Sequence, residues 1–197
     1  MKREEQINEV INQYYAEKYA ESKEKIKAYY WKNRDRIHGE FAGAIDRGAR
    51  RCREQGKKVT HIIISILLSS RLTKTYELQI AFCDERLYLD DAPVYEYWAP
   101  EFIFRYIEED LQFFQKMAAK TIPRIREYEL YSIRNTYIWN HYFLVMLLLK
   151  ELVPGPVEAA WENSGVLDDK VMVLLGRYME RGIAIYQRGQ TDEIFSS

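Results

Sequence analysis

Apolar positions Ile7, Ile11, Tyr14, Ile26 and Tyr29 recur at helical spacing, while Glu4, Glu5, Glu9, Glu17, Lys18, Lys23, Lys25 and Lys27 fall on the other faces. This pattern predicts a long amphipathic helix at the N-terminus. Unbroken from Lys2 to Glu54, it would be about 80 Å long, longer than a domain of this size is wide. The pattern therefore predicts a kink at Arg36-Ile37-His38-Gly39, after which Phe41, Ile45, Ala49 and Cys52 resume the stripe as the second helix of a pair. Gly39 and Gly43, four residues apart, would let another backbone approach that face. Gln55-Gly56-Lys57-Lys58 ends the block, because glycine supports a left-handed cap and lysine complements the negative helix pole.

From residue 58 the period changes. Val59-Thr60-His61-Ile62-Ile63-Ile64-Ser65-Ile66-Leu67-Leu68 is rich in β-branched residues and apolar on both faces, whereas Tyr76, Leu78, Ile80 and Phe82 alternate with Glu77 and Gln79. The first predicts a central strand and the second a half-exposed one. Asp84-Glu85 turns the chain into a short third strand, Arg86 to Leu89, so that 58–91 reads as a three-stranded antiparallel β-meander. Val94 to Trp98 fits a fourth strand or a lead-in to the next helix, and the lead-in is the reading preferred.

Residues 99–188 read as a C-terminal block of four helices. Pro100 suits the first turn of a helix reaching about Ala119, and Ile122-Pro123 breaks it. A helix through Ile125, Tyr128 and the apolar run Tyr137 to Leu149 ends at Pro154-Gly155-Pro156, and a short one follows around Val157 to Asn163. Asp168 suits the N-cap of a last helix reaching about Arg188, with Leu174, Leu175, Tyr178 and Ile185 inward, and 189–197 reads as a frayed tail. The fold class is α+β, mainly α-helical. With no repeat or linker in view, 1–197 reads as a single domain.

Composition fits such a fold. Of 197 residues, 47% are apolar and 30% charged, with only 9 Gly and 5 Pro to make loops. Sixteen tyrosines supply rings whose hydroxyls need partners when buried. The N-terminus has no apolar stretch of the signal-peptide kind, and Tyr142 to Leu149 is too short for a membrane span. With Cys52 and Cys83 lacking any ligand spacing, a cytoplasmic protein with reduced thiols is expected. The formal net charge is −1, yet residues 1–58 carry 15 Lys and Arg against 10 Asp and Glu, and the remainder 14 against 20. Such a split fits an internal electrostatic seam, a symmetric dimer or a basic docking face. It is not the charge of a dedicated nucleic-acid binder.

Two constellations could carry chemistry. Arg134, Tyr137 and His141 share a helix face, and a guanidinium, a phenol and an imidazole over two turns could hold a carboxylate or phosphate. A satisfied interior histidine is the plainer reading. The basic stretch Arg47, Arg50, Arg51 and Arg53 with Lys57 and Lys58 could contact phosphates, with Tyr29, Tyr30 and Trp31 supplying stacking rings. The plainer reading there is pairing with acids of the meander or the C-terminal block. No di-iron, nucleophile-elbow or nucleotide-loop pattern occurs, so neither metal, cofactor nor catalytic residue is expected. Glu108-Glu109-Asp110 points in several directions on a helix, so it cannot form one metal site unaided, and most such acids read as solvated. The resulting expectation is a non-catalytic interaction or regulatory protein acting as a homodimer. A small-molecule-binding protein or enzyme with a site at Arg134, Tyr137 and His141 is the alternative, and nucleic-acid binding through the basic face the weaker one.

Overall fold

The structure is a computed structural model that describes residues 3–180 and 182–189; the expected frayed tail falls, from residue 190, outside the described residues. Contacts gather into two compact units, Met1–Arg34 with Glu101–Val145, and Asp35–Pro100 with Met146–Ser197.

The first unit is helical. Helix α1 (Arg3–Lys32) buries Ile7, Ile11, Ser22, Ile26 and Tyr30. Its interruption falls at Asn33, three residues before the expected kink. The Asn33 side-chain amide donates to the Tyr29 carbonyl at 2.8 Å, a local bond that competes with helix continuation. The helix expected from Pro100 to Ala119 is in two pieces, α4 (Glu101–Phe104) and α5 (Ile107–Ala119). Helix α5 buries Ile107, Asp110, Phe114 and Ala118 as one stripe and is a principal neighbour of α1. Helix α6 (Tyr131–Leu152) contributes its first part, through Val145, to this unit. Aromatic rings join the three: Tyr15 stacks on Phe114 and meets Tyr137 edge-on, with centroids 5.9 and 5.3 Å away.

The second unit is built on a five-stranded mixed sheet, not on the expected three-stranded meander. Its order is β3-β2-β1-β4-β5, with β1 and β4 parallel and the other pairs antiparallel. Helix α2 (Arg34–Glu54) leads to Gly56, whose φ of +63° gives the expected left-handed exit, and into β1 (Val59–Ile66). The chain then forms α3 (Leu68–Thr73), which places Ser69 and Ser70 on a helix, and β2 (Leu78–Cys83).

The expected third strand at 86–89 is a 3-10 turn, Leu87–Leu89, entered with Leu87 at φ +56°, a left-handed conformation that no strand residue adopts. The strand that pairs with β2 is β3 (Val94–Trp98), the segment expected as a lead-in. The expected four-helix C-terminal block is corrected in the same way. After α7 (Pro154–Ser164) the chain forms β4 (Leu167–Arg177) and β5 (Ile183–Gln187) in place of a last helix. Val171, Val173 and Leu175 are all buried, a period of two that helical inward positions cannot produce. Asp168 is consequently a strand residue, its carboxylate accepting from the Lys170 amide and pairing with Lys58.

The sheet has two distinct faces. Ile62, Ile64, Ile80 and Phe82 are fully buried on the first, where Gly48 of α2 meets the Phe82 ring and Phe41 packs edge-on against Trp98. The second carries Ile63, Ser65, Gln79, Ala81, Cys83, Tyr95 and Tyr97 in register across β1, β2 and β3. Leu87 and Tyr88 of the 3-10 turn pack against Ile63, Ala81 and Cys83 there.

Candidate functional sites

Helix α6 brings Tyr137 and His141 together in the first unit and sends Arg134 elsewhere. Arg134 Nη2 donates to Glu108 Oε1 at 2.6 Å, an ion pair on the unit's margin. Tyr137 is fully buried and donates its hydroxyl to Asp110 Oδ2 at 2.6 Å, and Ser22 Oγ donates to the same oxygen at 2.5 Å. His141, also fully buried, places Nδ1 2.8 Å from the Tyr137 carbonyl, so this nitrogen carries the proton and donates. Its Nε2 is enclosed without a hydrogen-bond partner. The ring lies among Tyr19, Tyr137 and Phe104, with centroids 5.6, 4.8 and 6.4 Å away.

Burial pushes the His141 imidazole below its ordinary range, outweighing the Tyr137 carbonyl and the Asp110 charge. Burial, then Asp110, raises the Tyr137 phenol, and burial pushes Tyr15 up to about 12. The residue that sequence reasoning missed is Asp110, taken as solvated with its acidic neighbours. The signal was present: Asp110 falls on the apolar stripe of Ile107, Phe114 and Ala118, where an acid must find donors.

The basic stretch is engaged within the second unit. Arg47 Nε and Arg51 Nη1 converge on the Glu96 carboxylate at 3.1 and 3.0 Å, and Arg51 also donates to the Tyr95 carbonyl at 2.9 Å. Arg50 pairs with Asp46 one turn earlier, and Lys58 reaches Asp168 at 3.0 Å. Lys57 is buried against Asp90 and donates as well to the Ala92 carbonyl at 2.7 Å. Asp90 further accepts from the Asp84 and Ala92 amides at 2.8 and 2.9 Å, which closes the 84–92 loop around one carboxylate. Burial alone would raise that carboxyl, but Lys57 and the two amides more than reverse it and hold it below its usual range. Arg53 is exposed.

The third site was not foreseen from the sequence. On the second sheet face a cavity of about 30 Å³ lies among Ser65, Gln79, Cys83, Tyr88, Tyr95 and Met179. Gln79 is 8% exposed; its Nε2 donates to the Tyr97 hydroxyl at 3.2 Å and its Oε1 is enclosed without a partner. Burial pushes the Cys83 thiol up to about 11, so it is a neutral wall. Around the opening, Tyr97, Tyr178 and Met179 are 48%, 47% and 62% exposed. Compared with protein families, curated proteins and solved structures, the chain matches none. Among the described residues, no helix is long and apolar enough to cross a membrane.

Proposed function

We propose that the protein is a non-catalytic interaction or regulatory protein that self-associates through the second face of its sheet. The observation that carries this reading is the group of exposed large side chains, Tyr97, Tyr178 and Met179, around the partly covered strands. Tyrosine and methionine are the residue types enriched at interface centres, where lysine and glutamate are depleted. A face made of such neutral side chains can meet its own copy across a two-fold axis without opposing like charges. The cations of the basic stretch favour this over nucleic-acid binding, since Arg47, Arg51, Lys57 and Lys58 are already paired with Glu96, Asp90 and Asp168. Both cysteines are free thiols, which supports a cytoplasmic location.

The test is mass by light scattering across a dilution series, with the chain and with a Tyr97→Glu, Met179→Glu double variant. A dimer whose dissociation constant rises at least about tenfold in the variant is expected. A monomer mass at every concentration overturns the reading. A second reading, a small-molecule site on α6, draws support from the unpartnered Nε2 of His141. Thermal shifts on adding imidazole-binding or carboxylate fragments, abolished by His141→Leu in a folded variant, would favour it instead.

A further inference from the structure

We propose that the cavity at Ser65 and Gln79 binds the carboxamide or lactam edge of a small neutral ligand. The Gln79 side chain is nine-tenths buried, and with Nε2 donating one hydrogen to Tyr97 its carbonyl oxygen is left without a donor. An enclosed amide oxygen of this kind is costly when unpaired, so an occupant that brings an N–H is favoured. Ser65 sits directly across the β1–β2 ladder from Gln79, a spacing that puts the two side chains side by side. Its hydroxyl can donate to an oxygen of the occupant. An N–H beside a C=O is the edge that answers both groups.

Charge and size narrow the class further. The cavity is lined by Ile63, Ala81, Leu87 and Pro93 besides the polar pair, and among the described residues no Lys, Arg, Asp or Glu lines it. A carboxylate or an ammonium entering it would be desolvated without a counter-charge, so the occupant is neutral. About 30 Å³ admits a few non-hydrogen atoms, the polar edge and not the whole ligand. The remainder lies at the opening against Tyr88, Tyr95, Tyr178 and Met179, where rings and a thioether favour a flat apolar body. This goes beyond self-association, and because Tyr178 and Met179 serve both, ligand and second copy compete for the opening.

The experiment is a two-dimensional amide NMR titration of the full chain with three probes of one shape: benzamide, benzoate and acetophenone. It is run at a concentration where mass shows a monomer, because Tyr178 and Met179 line both the opening and the face proposed for self-association. Benzamide is expected to shift the Gln79 side-chain amide and the Ser65 and Ala81 backbone amides, and to bind at least tenfold more tightly than benzoate, which has no donor and is charged, or acetophenone, which has no donor. Gln79→Met is expected to erase that tenfold preference, and Ser65→Ala to reduce it. Equal binding of the three probes overturns the proposal, as does the absence of any shift at Gln79 up to the solubility limit of benzamide. The ranking on the native chain decides the matter even where a variant fails to fold. Because the titration is read on the monomer and mass is read separately, failure of this proposal is distinguishable from failure of self-association.

Discussion

A methyl group placed on Gly48 would lie 2.0 Å from Cε2 of Phe82. The helix therefore touches the sheet through the bare backbone of Gly48, and the ring is fully buried, so that shifting it displaces its core neighbours. Alanine is favoured over glycine inside a helix by about 1 kcal/mol, and overpacking a core costs about 1–3 kcal/mol, so here the clash wins. We expect Gly48→Ala to lower stability by about 2 kcal/mol. Gly39 lies in the same helix with nothing within 4 Å of its would-be Cβ, and Gly39→Ala should raise stability by about 0.5–1 kcal/mol. Urea midpoints of the two variants should move in opposite directions. The backbone approach expected at Gly39 and Gly43 does not occur there, and the close contact of this helix is a side-chain ring at Gly48.

The buried pair of Lys57 and Asp90 ties the end of α2 to the 84–92 loop. Removing one member strands the other in a site where their side chains are only 10% and 2% exposed. Asp90→Ala is expected to cost about 3–5 kcal/mol, because Lys57 loses its counter-charge and two backbone amides lose their acceptor. A Lys57→Met, Asp90→Leu double variant should be less destabilised than Asp90→Ala, since it leaves no buried charge. Equal loss in both, by urea denaturation, would place the stabilisation in the loop amides and not in the ion pair.

The helical pattern and the first two strands were legible because their signals are local. The stripe from Ile7 to Cys52, the β-branched run from Val59 and the Gly56 exit need only near neighbours. What was not legible depends on partners far along the chain. Val171-Met172-Val173-Leu174-Leu175 is apolar at every position, so it fits a buried helix as well as a strand. Its place beside β1, in parallel, is what makes it β4. Leu87 looked like a strand residue, yet Asp84, Asp90 and Lys57 close the loop around it in a turn. At the candidate sites, the shared helix face of Tyr137 and His141 was visible, whereas the capture of Arg134 by Glu108 required knowing that α5 lies alongside. The Gln79 cavity needed three strands in register, which no single segment announces.

Asp110 receives both the Tyr137 and the Ser22 hydroxyls on one oxygen within the helical unit. Tyr137→Phe removes one donor from a buried carboxylate while keeping the ring in its aromatic cluster. The expected loss is about 1–3 kcal/mol. In an Asp110→Leu background the same substitution should cost much less, because the hydroxyl then has no acceptor to lose. Additive losses in the double-variant cycle would mean that the hydroxyl stabilises the fold otherwise than through Asp110.

His141 gives the helical unit a pH dependence whose sign follows from burial. Its folded pKa lies below the ordinary value of about 6.5, because the enclosed ring resists taking a charge. Below pH 6.5 the unfolded chain binds a proton that the folded one refuses, so stability rises with pH through this window and is lost as pH falls. The slope is at most about 1.4 kcal/mol per pH unit for one such group. The groups that face it are Tyr19 of α1, Phe104 of α4 and Tyr137 of its own helix, with the Asp110 charge beyond. Carboxyls held below their usual range, among them Asp84, Asp90, Glu129, Glu158 and Asp168, lose their contribution only at lower pH, as it falls through their depressed values. Hydrogen exchange of α1, α5 and α6 amides, corrected for intrinsic rates, should therefore show protection falling between pH 6.5 and 5. His141→Leu should flatten that fall by leaving no group to protonate. An unchanged slope in a folded His141→Leu variant would assign the window to another residue.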